Sequence, residues 1–165
     1  MKIIIKPKKI TRKNFQKFGD LISVKKTKPI NINNGYAKRF DNLCRINTSS
    51  KKGKTIMSIF SSKKRKFPMN ITMMEKHPLG SQAFVPMNET TFLVFVAPKG
   101  KRPNTKKIKS FIVPKQTGIN YKPGIWHFPL ISTKNMNFLV IDRKGIGNNL
   151  VIHNFKNEKI SLKYK

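Results

Sequence analysis

Acidic side chains are nearly missing from this sequence. Asp and Glu number six against 36 Lys and Arg in 165 residues, for a formal net charge of +30. Cysteine is reduced to Cys44, which excludes a disulfide within the chain and fits a reducing compartment. Long apolar runs are also lacking. The opening Met1-Lys-Ile-Ile-Ile-Lys-Pro7 holds too short a run for the core of a secretory signal. Nothing approaches the roughly 20 residues of a membrane-spanning helix. The expectation is a soluble, cytoplasmic protein with no membrane contact. Zinc-finger spacing, a basic helix and an RNA-recognition aromatic motif are missing as well. The lysines are scattered through nearly every loop rather than gathered on one stripe. No specific nucleic acid is therefore expected as a partner, and the field should draw in small anions, carboxylates included.

What remains is a β pattern. Hydrophobic residues make up 38%, and twelve Phe with many Ile and Val can fill a compact core. Thr11 is placed to cap a short helix in which Phe15 and Phe18 share a face and Gly19 ends the run. Short strands follow, separated by turn signals such as Asn33-Asn34-Gly35 and Pro98-Lys-Gly-Lys-Arg-Pro103. Residues 70–77 read as one strand, and residues 82–87 as its partner in a hairpin-like pair around Pro78-Leu-Gly-Ser81. Residues 91–97 are the most apolar strand, expected to be buried on both faces. About ten strands and one short N-terminal helix predict an all-β barrel or jelly roll. No repeat or linker interrupts residues 1–165, so a single domain is expected.

Scarcity singles out the candidate chemistry. Glu75 and His77 lie two apart, so both leave one face of a strand. Gln82 follows across the turn, and His127 supplies a second imidazole. The order Glu75, His77, Gln82, then Pro123-Gly124-x2-His127 resembles the two-part metal signature of cupins, with Glu75 at the first His position and Gln82 at the Glu position. Two imidazoles, a carboxylate and an amide oxygen form a donor set for a divalent ion such as Mn, Ni, Fe or Zn. Taken singly, such residues are usually a packing histidine, a surface ion-pair partner and an ordinary polar side chain. The acid scarcity and the spacing together favour a pocket. His153 stands alone and receives no role. Asp142-Arg143 reads as a structural ion pair at a strand end.

A closer resemblance lies in Glu75-Lys-His77-Pro-Leu-Gly-Ser-Gln82-Ala-Phe-Val-Pro86, which is similar to the central motif of the ureidoglycolate lyase family, also called ureidoglycolate hydrolases. Phe15-Gln-Lys-Phe18-Gly19-Asp20, Ile32-Asn33-Asn34-Gly35, Arg39-Phe40, Phe92-Leu-Val-Phe-Val-Ala97, Gly118-Ile-Asn120-Tyr121, Trp126-His127-x-Pro129-Leu130 and Phe138-Leu-Val-Ile-Asp142-Arg143 follow the family order. Two departures stand out: Ser61, near which many members carry Arg, and the high basicity. The resemblance implies a cupin-type double-stranded β-helix, a homodimer, and cleavage of ureidoglycolate to glyoxylate and urea, a step of allantoin and purine catabolism. It implies catalytic Glu75, His77, Gln82 and His127, and substrate contacts from Asn33, Asn34, Arg39, Tyr121, Lys122 and Trp126. Arg39 would either clamp the carboxylate, its planar guanidinium meeting both oxygens, or be a plain surface residue. The same four catalytic residues would ligate a metal, nickel or manganese ahead of zinc or iron, unless the site is metal-free. Two other readings stand beside this one: another cupin enzyme acting on a small hydroxy acid, and a basic nucleic-acid-binding protein.

Overall fold

The computed structural model describes residues 2–164. The chain opens with β1 (Lys2–Ile5) and β2 (Lys8–Lys9), then the single turn of helix α1 (Arg12–Phe15). Thr11 caps that helix, accepting from the Asn14 N–H while the Asn14 side chain accepts from the Thr11 N–H. Phe15 and Phe18 are both buried. Strands β3 (Gly19–Ile22), β4 (Ile30–Ile32), β5 (Ala37–Arg39) and β6 (Lys54–Ser62) follow. Next come β7 (Met69–Ile71), β8 (Met73–Lys76), β9 (Gln82–Pro86) and β10 (Phe92–Ala97). After them lie β11 (Lys109–Val113), β12 (Gly118–Tyr121), β13 (Trp126–His127) and β14 (Ile131–Ser132). The chain closes with β15 (Met136–Lys144), β16 (Val151–Asn154) and β17 (Lys159–Leu162).

These strands form a layered all-β fold whose sheets do not close into a continuous barrel. The central sheet runs β16-β8-β13-β10-β11-β2, with β14 also pairing β10. A second sheet, β3-β12-β9-β15-β6, faces it, and a third, β1-β17-β7, covers its other side. Strand β10 shows why three layers are needed. Phe92, Val94 and Val96 join the core against the second sheet, while Leu93, Phe95 and Ala97 join the core against the third. Alternation sends successive side chains to opposite faces, so an uninterrupted apolar strand needs cover on both. The double burial expected of residues 91–97 holds for Phe92–Ala97, whereas Thr91 precedes the strand and is half-buried. Among the described residues no helix is long and apolar enough to cross a membrane.

Two features of the strand reading change. Residues 70–77 are two strands in different sheets: β7 pairs β17, whereas β8 pairs β13 and β16. Strands β8 and β9 are not hairpin partners either, because β9 pairs β12 and β15. The intervening residues 77–81 cross from the central sheet to the facing one. Gln82 therefore reaches Glu75 across the space between sheets, not along a shared ladder.

Candidate active site

Two rows of side chains meet in that space. On the central sheet His127 of β13 lies opposite Glu75 of β8. On the facing sheet Tyr121 of β12 lies opposite Gln82 of β9, and Asp142 follows directly after the Ile141–Ala83 pair of β15 and β9. His77 sits just past the end of β8. Glu75, Gln82, Tyr121 and His127 line a cavity of about 550 Å³ together with Phe60, Phe84 and other residues.

The cluster is built around one carboxylate oxygen. Glu75 Oε1 lies 3.8 Å from His77 Nε2 and 3.6 Å from His127 Nε2. Each imidazole is held from behind at its other nitrogen. His77 Nδ1 meets the Asn149 carbonyl at 2.7 Å, and His127 Nδ1 meets the Ile125 carbonyl at 3.1 Å. A carbonyl only accepts, so each Nδ1 carries the proton and each Nε2 presents a lone pair. Tyr121 stacks flat on the His127 ring, with centroids 4.4 Å apart. Both Nε2 atoms are buried without a hydrogen-bond partner among the described residues. An unsatisfied buried polar group costs about 1–3 kcal/mol. Two such atoms beside one carboxylate are a poor arrangement for stability alone and a good one for holding a ligand.

Electrostatics agrees with that geometry. Burial acts to raise the Glu75 carboxyl, but the neighbouring imidazole of His127, and after it that of His77, outweigh burial and hold the group below its ordinary range. His77 is pushed down, chiefly by burial and then by the nearby His127, against the opposing pull of the Asn149 carbonyl, Glu75 and Asp142. Burial, aided by the Glu75 charge, keeps the Tyr121 phenol protonated. An ionised carboxylate and a neutral imidazole are the protonation states that donate to a cation. One donor atom each from Glu75, His77 and His127 lie within 4.8 Å of one another, so the residues present fit a small divalent ion.

The family model described as Ureidoglycolate lyase matches residues 2–163. The chain belongs to the ureidoglycolate lyase family. A protein of Pseudomonas syringae pv. syringae named ureidoglycolate lyase is 40% identical over 160 residues, covering 96% of this chain and 93% of that one. Another of that name, from Pseudomonas paraeruginosa, is 39% identical over 156 residues, covering 94% of this chain and 92% of its own. Among solved structures, the TDP-fucose-3,4-ketoisomerase WlaRA of Campylobacter jejuni matches with a TM-score of 0.40 at 14% identity, over 79% of this chain and 86% of that one.

Of the residues that family resemblance marks for the site, the fold gathers Glu75, His77, Gln82, His127 and Tyr121. The others sit elsewhere. Trp126 alternates with His127 on β13 and so enters the core on the opposite face, its indole N–H donating to the Gly100 carbonyl. Lys122 is exposed and reaches the Gln16 carbonyl. Asn33 and Asn34 form the tip joining β4 and β5, a two-stranded sheet separate from the others. Arg39 on β5 is exposed, and its guanidinium is paired with Asp41 at 2.9 Å. None of these five lines the cavity. The basic run Lys63, Lys64 and Arg65 does line it, beside Ser61 and Ser62. Nothing in the sequence separates that run from the other lysine-rich loops; only the fold brings it to the cavity.

Proposed function

We propose that this protein cleaves ureidoglycolate to glyoxylate and urea. The observation that carries the reading is the family match over residues 2–163 joined to a partly buried Glu75–His77–His127 cluster beside a cavity with a basic wall. The reaction breaks the bond between the α-carbon and the ureido nitrogen. The hydroxyl on that carbon loses its proton as its oxygen becomes the aldehyde C=O of glyoxylate, and a proton is added to the departing urea nitrogen.

Each part of the site has a task in that scheme. Lys63, Lys64 and Arg65 hold the substrate carboxylate, a role for which Arg suits both oxygens. Glu75 Oε1, ionised, and the Nε2 atoms of His77 and His127 are the proton acceptors for the hydroxyl. Tyr121 keeps the His127 ring in its plane. Gln82 contacts the ureido group or serves as a fourth ligand. Glu75, His77 and His127 would hold a divalent ion, with manganese or nickel ahead of zinc or iron. Bound there, such an ion would lower the pKa of the substrate hydroxyl and offset charge on its oxygen.

We also propose that the working form is a homodimer and that its place is the cytoplasm. The outer face of the second sheet supports the dimer. Met57 and Ile59 are well exposed there, and Leu139, Ile141 and Val85 lie beside them in register. That patch carries no lysine in a chain of net charge +30. Two such chains repel everywhere except at an uncharged face, so a second copy is the partner that fits it.

The deciding experiment measures urea and glyoxylate release from ureidoglycolate by the purified protein, before and after dialysis against a strong chelator. Turnover lost with the chelator and restored by Mn²⁺ or Ni²⁺ is the expected result. Turnover that survives complete metal removal, verified by elemental analysis, assigns proton transfer to Glu75 and the histidines alone. No turnover with any added ion overturns the lyase reading.

A further inference from the structure

Asp142 has a neighbour in sequence and a different one in space. Arg143 turns to the other face of β15, where its guanidinium donates to the Ser50 carbonyl at 2.8 and 3.0 Å and to the Ile146 carbonyl at 2.8 Å. The expected Asp142–Arg143 ion pair does not form, because adjacent strand residues point in opposite directions. Asp142 instead accepts a hydrogen bond from Gln82 Nε2 to its Oδ2 at 3.4 Å. The two residues also border a smaller cavity of about 310 Å³ shared with His77.

The chemistry of the pair fixes the direction of the amide. Gln82 turns its NH₂ end to Asp142 Oδ2, an oxygen that accepts, while Asp142 Oδ1 is buried without a partner among the described residues. The oxygen is the end left over. Gln82 Oε1 is buried and has no partner among the described residues, and Gln82 also lines the main cavity with Glu75 and His127. Without a neighbour of fixed polarity, an amide can turn over and exchange oxygen for nitrogen at similar shape.

We infer that Asp142 is a positioning residue that locks the Gln82 amide, so that its oxygen and not its nitrogen serves the Glu75–His77–His127 cluster. Both roles open to Gln82, acceptor for a ureido N–H or neutral ligand to a cation, use that oxygen. Only the identity of what the oxygen meets rests on the lyase reading; the locking does not.

The test is a double-mutant cycle on the full chain with two readouts. The first is kcat/KM for ureidoglycolate. Asp142→Leu should lower it by about as much as Gln82→Ala, roughly tenfold or more. Adding Asp142→Leu to Gln82→Ala should cost little further. Gln82→Glu alone sets two carboxylates against each other and should also be impaired. Gln82→Glu with Asp142→Asn restores a donor–acceptor pair and should recover most of the loss, which a merely structural Asp142 would not produce. The second readout is the Gln82 side-chain amide in a ¹H–¹⁵N spectrum, assigned by its loss in Gln82→Ala. Its protons should exchange slowly in the wild type and quickly in Asp142→Leu. Full additivity of the two losses, or an amide signal that ignores Asp142→Leu, overturns the inference. If the wild type does not turn over ureidoglycolate, the lyase reading fails and the amide signal alone decides the locking.

Discussion

Glu75 owes its place in the site to its surroundings more than to its type. It is one of six acids, and it alone sits between two imidazoles whose Nε2 atoms lack other partners. Glu75→Gln keeps the shape and removes the charge, so kcat/KM on ureidoglycolate should fall by at least about 100-fold. His127→Ala should do the same and also free the Tyr121 ring from its stack. Steady-state kinetics on folded variants checks both. The pH dependence follows from the same cluster. His77 has a folded-state pKa below its unfolded value of about 6.5. Its contribution to stability is therefore full above that value and is lost as pH falls through the lowered one. Glu75, also lowered, acts in the same direction below its own unfolded value of about 4.3. Urea midpoints should drop from pH 7.5 to pH 5, and His77→Gln should flatten the upper part of that fall. A wild-type midpoint that rises on acidification would contradict this.

At the scale of elements, the site depends on strands being held at close range. Gly19 at the start of β3 shows how close. A Cβ placed there would lie 2.0 Å from the Asn120 carbonyl oxygen of β12, a backbone atom that cannot step aside. Gly19→Ala should therefore destabilise the protein by about 1–3 kcal/mol or more, visible as a lower urea midpoint. The α1 cap is a milder case. Thr11→Ala removes one side-chain acceptor and should cost about 1 kcal/mol. The sequence showed this cap because a Thr before a short Phe-bearing helix is a local signal. The split of residues 70–77 between two sheets was hidden, because Ile71 and Met73 fit either a continuous strand or a break at Thr72.

The whole molecule is governed by its charge. At +30 the protein repels its own copies, and the face proposed for the dimer, free of lysine at Met57, Ile59, Val85, Leu139 and Ile141, is one where that repulsion is lessened. Association through Met57 and Ile59 should therefore strengthen with added salt, which screens the repulsion while leaving the apolar contact. Light scattering after size exclusion should show a dimer whose population rises from low to moderate salt. Ile59→Lys should yield a monomer with its secondary structure unchanged. A monomer at all concentrations and salts would remove the dimer proposal. Loss of the dimer with rising salt would assign the contact to charges instead.

By itself the sequence determined the β class, the short capped helix and, within one residue, the doubly buried strand Phe92–Ala97, and it singled out Glu75, His77, Gln82 and His127 as candidates. Periodicity, capping chemistry and the rarity of acids and imidazoles are local properties and can be read without coordinates. Tertiary structure alone decided that Gln82 faces Glu75 from an opposite sheet, that Trp126 turns away while His127 turns in, and that Lys63, Lys64 and Arg65 border the cavity. It also placed Asp142 against Gln82 rather than Arg143. These facts depend on which strands pair and which face each residue takes, and in a β protein both are settled by contacts between residues far apart in the chain.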